Sequence, residues 1–234
     1  NHNNHNNFQG NYLMNLKTTS LAAATFALLL GASANSAVVI NGTGQSFSQI
    51  SDAMNWITTS GGGSTYTVYA DNGRYGSFDQ VANSNLTWGN SPGVIDIGGN
   101  MRVRSAAQML FEIAGTSNVN AFTTGVVDYD TVLVTGNVSY EGTINVNLLS
   151  GFMPTLGNSF ELIASSGSVA YTGTLNAPTL SAGLAWQVSI GSSTFGGDGY
   201  GGQSLFLNVV VVPAPGAAAL IGLAGLVASR RRRN

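Results

Sequence analysis

The sequence predicts an all-β protein: a right-handed parallel β-solenoid, or β-helix, with one short N-terminal helix. A signal helix and a C-terminal hydrophobic helix flank it. Three observations carry this expectation. Apolar residues alternate with Ser, Thr and Asn along several short runs, which is the period of half-buried strands. Two stretches read as imperfect copies of one two-strand unit. Charged residues make up only 8% of the chain and glycines number 31, a balance suited to short strands joined by small-residue turns. A β-sandwich is the alternative that the same alternation allows.

The elements follow in order. Residues 1–13 have no apolar period and read as a non-structured upstream segment. Residues 14–37 have the order of a signal peptide: Met14, the positive Lys17, an apolar core at 21–30, then Ala32-Ser33-Ala34. Cleavage is expected after Ala34 or Ala37. Residues 38–90 should form the N-terminal helix and the first strands. Val38 to Ile40 reads as a strand. Phe47, Ile50, Met54 and Ile57 fall on one helical face. Gly61-Gly62-Gly63 stops that helix, residues 65–70 are β-rich, and Asp71-Asn72-Gly73 is a turn.

Residues 91–212 should form the main β body. Gly98-Gly99-Asn100 opens a unit with Met101, Val103, Met109, Phe111 and Ile113 inward. Gly136-Asn137 opens its copy, with Val138, Tyr140, Ile144, Val146 and Leu148. Phe160, Leu162 and Ala164 continue the alternation, as do Trp186, Val188 and Ile190, then Leu205, Leu207 and Val209. Val103, Phe111, Val138, Ile144, Val146 and Phe160 are expected in one core, with Arg102, Arg104, Asn137, Asn145 and Asn147 facing water.

Residues 213–234 change character. Pro213-Ala214-Pro215 precedes an apolar stretch at 217–228, then Arg230, Arg231, Arg232 and Arg233. Twelve residues rise about 18 Å as a helix, short of a hydrocarbon core of roughly 30 Å. This three-part tail resembles the PEP-CTERM sorting signal of Gram-negative bacteria, with Ala214 where that family has glutamate. The resemblance implies export, transient inner-membrane insertion through the C-terminal helix and cleavage by an exosortase-type enzyme. It also implies a final place on the outer surface or in the extracellular polysaccharide of a biofilm. A second resemblance rests on Tyr129-Asp130, Gly142-Thr143, and Gly151-Phe152 with Pro154 and Gly157. These resemble the last coils of secreted β-solenoids, including autotransporter-passenger regions. Residues 50–75 resemble the capping helix and first coil of parallel β-helix proteins.

The inventory of reactive groups is small. Cysteine is absent and both histidines lie in the first seven residues, so His- and Cys-based catalysis and metal binding are excluded beyond them. No lysine follows Lys17. From 38 to 212, three arginines stand against ten acidic residues, a net of −7. Such a body repels nucleic acid. The carboxylates remain. Asp128 and Asp130, two apart, read as a solvated turn, as part of a calcium site, or as an acid–base pair for a glycoside. Asp71 reads as a turn residue. Arg102 and Arg104, with Asp96 near in sequence, read as an outward strand face. Residues 196–202 are a glycine-rich loop. Trp56 and Trp186 read as core, and Trp88 as the tryptophan most suited to stack on a sugar. The expected protein is an exported, non-enzymatic surface or matrix protein without a cofactor, apart from the calcium reading. The alternative is a small secreted carbohydrate-binding or carbohydrate-active β-helix protein.

Overall fold

The structure, a computed structural model, describes residues 37–88, 92–118 and 127–212. Pro213, Ala214, Pro215, Arg230 to Arg233 and Ala34 lie outside the described residues. The described part is all-β, with one α-helix. Its strands form two mixed sheets of eight strands each, and their inward faces share one hydrophobic core.

β1 (Val38–Ile40) and β2 (Gln45–Phe47) form an antiparallel pair at one end of the first sheet. α1 (Ile50–Ser60) follows and buries Ile50, Ala53, Met54 and Ile57. The expected apolar face is therefore present, but Phe47 belongs to β2 and the helix starts after it. β3 (Tyr66–Ala70), β5 (Ser84–Trp88), β7 (Gln108–Asn118), β11 (Thr143–Leu148) and β14 (Thr174–Asn176) then pair in parallel, one beside the next. β1 closes this sheet by pairing antiparallel to β3. β8 (Val127–Tyr129) lies antiparallel to β7.

The second sheet is built on β6 (Val94–Val103), which pairs in parallel with β4 (Gly73–Gln80) from Ile95 to Val103, interrupted by a bulge between Gly76 and Phe78. The first half of β6 pairs in parallel with β9 (Thr131–Val134), and β9 with β12 (Ser159–Ser165). The second half pairs in parallel with β10 (Val138–Tyr140), and β10 with β13 (Val169–Tyr171). β16 (Gln203–Val211) then lies antiparallel on β12, and β15 (Leu184–Ser192) antiparallel on β16.

The sequence repeat and the strand register coincide. Val138 sits beside Met101, Tyr140 beside Val103, Ile144 beside Met109, Val146 beside Phe111 and Leu148 beside Ile113. A third, unforeseen copy adds Val169, Tyr171 and Leu175 beside Val138, Tyr140 and Ile144. The corner before each copy is held by side chains. Asn100 N–H donates to Ser77 Oγ at 3.0 Å, Asn137 N–H to Asn100 Oδ1 at 2.8 Å, and Ser168 N–H to Asn137 Oδ1 at 3.0 Å. Glycine is needed at this corner, because a Cβ on Gly136 would lie 2.7 Å from the Gly99 carbonyl oxygen.

All six residues expected in one core lie there. Arg102, Arg104, Asn137 and Asn147 are exposed, while Asn145 is half-buried. Three expectations need correction. Trp88 is 3% exposed and packs on Phe111, with ring centroids 5.1 Å apart. Ala164 leaves the main core, because a bulge between Glu161 and Ile163 shifts the alternation of β12. Ile190 is 42% exposed, while Trp186 and Val188 pack against the core.

Candidate functional site

Three carboxylates are buried: Asp96, Asp130 and Glu161. Asp130 accepts the Gly93 and Glu112 N–H groups, both at 2.7 Å, one on each carboxylate oxygen. Asp128 instead accepts the Ser117 N–H at 3.0 Å. Asp128 and Asp130, two apart in sequence, thus hold different stretches of backbone. Asp71 lies in the two-residue connection between β3 and β4: its N–H donates to the Ala37 carbonyl at 2.9 Å, and its carbonyl accepts the Tyr75 hydroxyl at 2.6 Å. Among the described residues no group of three or more His, Asp or Glu is placed to hold a metal ion.

The glycine-rich loop lies over the outer face of the second sheet. Phe195 and Tyr200 pack there on Val94, Leu133 and Ala164. That cover explains why Val94–Ile97 and β9 are buried on both faces. Two carboxylates fasten the loop. Asp96 accepts the Tyr200 hydroxyl at 2.7 Å and the Arg74 Nε–H. Glu161 accepts hydroxyls from Ser193 at 2.8 Å, from Ser204 at 2.5 Å and from Thr194, together with the Thr194 N–H. The other two described arginines pair elsewhere. Arg104 makes a forked bond to Asp79, which holds that carboxyl below the usual range, and Arg102 meets Glu141 at 3.1 Å.

Burial pushes the Tyr129 and Tyr200 hydroxyls up to about 12, and the Asp96 bond adds to the rise at Tyr200. Burial pushes Tyr140 well up too. These phenols are neutral in the fold and ionise earlier when unfolded. Their stabilisation is therefore full below pH ~10 and is lost as pH rises toward 12. An ultraviolet absorbance titration should show phenolate appearing in two stages, the later one accompanying loss of β circular dichroism. Tyr200→Phe should remove one tyrosine from the later stage. A single stage at the ordinary tyrosine value would contradict this.

Two of the surface grooves lie on the outer faces of the sheets. One, of about 480 Å³, runs beside Asp79, Asn100, Arg102, Asn137 and Ser139 on the second sheet. The other, of about 430 Å³, lies on the first sheet and is lined by Thr67, Tyr69, Asn85, Leu86, Thr87, Trp88, Gln108, Leu110, Glu112 and Asn145. Its amides are joined. Asn145 Nδ2 donates to Gln108 Oε1, and Asn176 Nδ2 to Asn145 Oδ1, both at 2.8 Å. Asn147 Nδ2 donates to Glu112 Oε1, also at 2.8 Å. Sequence reading missed this groove, because its residues come from four separate strands that only parallel pairing brings together. The available signal was the polar half of each alternating run.

A scan against protein-family models gives no match, and a search of curated proteins gives none either.

Proposed function

We propose that the chain is an exported, non-enzymatic protein of the cell surface or extracellular matrix, associated with exopolysaccharide. The body is read as a right-handed parallel β-solenoid in preference to a sandwich. Supporting this, the pairings step forward one repeat at a time, from β6 to β10 to β13 and from β7 to β11 to β14. Parallel crossovers are right-handed in nearly all folds.

One observation carries the non-enzymatic reading. Asp96, Asp130 and Glu161 are each engaged by donors of the fold itself. General acid–base chemistry needs a carboxylate in reach of substrate, and glycoside hydrolysis needs two. The first-sheet groove is lined by one carboxylate, Glu112. The net charge of −7 over residues 38–212 disfavours nucleic acid.

Export rests on the two ends: the signal-peptide order at 14–37 and the PEP-CTERM-like tail from Pro213. The fold suggests which cleavage occurs. Cutting after Ala37 would remove the carbonyl that accepts the Asp71 N–H, whereas cutting after Ala34 keeps it. At the other end, Val212 N–H still donates to the Gly183 carbonyl at 2.9 Å. Intact-mass spectrometry of the secreted protein should therefore find Asn35 at the N-terminus and an end just after Val212. Secreted protein that still carries Arg230 to Arg233 would refute the sorting tail.

A further inference from the structure

We propose that the groove on the first sheet binds a neutral, linear polysaccharide. The inference rests on the exopolysaccharide reading above and names the surface and the sugar class. Asn85, Gln108 and Asn145 present amide groups, each carrying donors and an acceptor, and Thr67 and Thr87 add hydroxyls. Paired donors and acceptors match the hydroxyls of a sugar ring. The Tyr69 ring is 40% exposed at the same groove and offers an apolar face for the ring's C–H surface.

Two groove-lining residues have a buried polar atom without a hydrogen bond among the described residues: Asn85 at Oδ1 and Trp88 at Nε1. The amides also form a line. From Asn85 through Gln108 and Asn145 to Asn176 there are three steps between neighbouring strands, about 14 Å. That length suits several joined sugars better than one.

Charge decides the class. The groove is lined by a carboxylate and no cation, and the body is net negative, so an anionic polymer is disfavoured. The groove on the second sheet has Arg102 and serves as the comparison.

Native gel electrophoresis of the full chain through gels holding dextran, galactomannan or a mixed-linkage glucan tests this, with alginate and polygalacturonate as anionic counterparts. At least one neutral polymer should retard the protein and neither anionic one should. Tyr69→Ala and Gln108→Ala should each weaken retardation at least tenfold while circular dichroism stays unchanged, and Arg102→Ala should leave it intact. No retardation by any neutral polymer, or retardation indifferent to Tyr69 and Gln108, overturns the proposal. Cell fractionation separates this from the parent reading. A protein found in the matrix whose groove variants remain there in full removes the groove and leaves export standing. A protein that binds in the gel yet stays in the cytoplasm does the reverse.

Discussion

Replacing Phe111 with alanine should cost about 3–5 kcal/mol, the range for emptying a large aromatic site in a packed core. Phe111 is fully buried, beside Val146 in the neighbouring strand and against the Trp88 ring. Parallel hydrogen bonds fix β7 against β11 through Phe111 and Val146, and each strand is also paired on its other side just before these residues. The cavity should therefore persist, and its cost should fall at the high end. A domain's whole stability is about 5–15 kcal/mol, so the variant should melt on the order of 10 °C lower or fail to fold. Urea unfolding followed by tryptophan fluorescence measures this directly, since Trp88 lies on the altered ring. Asn147→Ala, which removes one exposed bond to Glu112, should change little. Equal midpoints for the two variants would show that this core position is not as closely packed as described.

Glu161→Ala should have the next largest effect, and a local one. Ser193, Thr194 and Ser204 all donate to this one buried carboxylate. Each stranded buried donor costs about 1–3 kcal/mol, so the loss should reach roughly 3 kcal/mol even if some donors find water. The loop at 193–202 should lift, uncovering Val94, Leu133 and Ala164 beneath Phe195 and Tyr200. Hydrogen exchange should quicken in that loop and in β9, and a protease should nick the loop first. Glu161→Gln should fall between alanine and wild type, because its amide NH₂ points one more donor at donors. Wild-type exchange rates in the alanine variant would mean that the carboxylate does not hold the loop.

Parts of this fold were legible because repetition was legible. Gly136-Asn137 resembles Gly99-Asn100 since both occupy the same corner, where backbone crowding admits glycine and the asparagine carbonyl caps the next strand. The inward series after each corner matches because those residues lie side by side. β4 was not foreseen, and a bulge between Gly76 and Phe78 breaks its alternation. Val94–Ile97 has no alternation to read, since the distant loop buries its outer face as well. Trp88 looked like a surface ring among polar neighbours, yet its place beside Phe111 depends on strand stacking. The groove was hidden for the same reason: Asn85, Gln108 and Asn145 are unremarkable in sequence and become neighbours only across strands.

The antiparallel pairs at the ends of the sheets have a consequence for assembly. A pile of parallel strands in register is, in its hydrogen bonding, close to the arrangement of a cross-β fibre, and an open end invites another chain to continue it. Here the first sheet does not end on a long parallel strand, and on the second the eight-residue parallel β4 has α1 packed against it, with the Gln49 side chain accepting its Gly76 N–H at 2.7 Å. β1 and β2 turn back at one end of the first sheet, and β14 at its other end has three residues. β13 is equally short, and the Gln203 side chain accepts its Val169 N–H at 2.9 Å. β15 is long, but it runs antiparallel to β16, so a strand added there would not extend the repeat. The reversals, the short strands and α1 thus leave this repetitive, weakly charged chain few open parallel edges on which another backbone could continue.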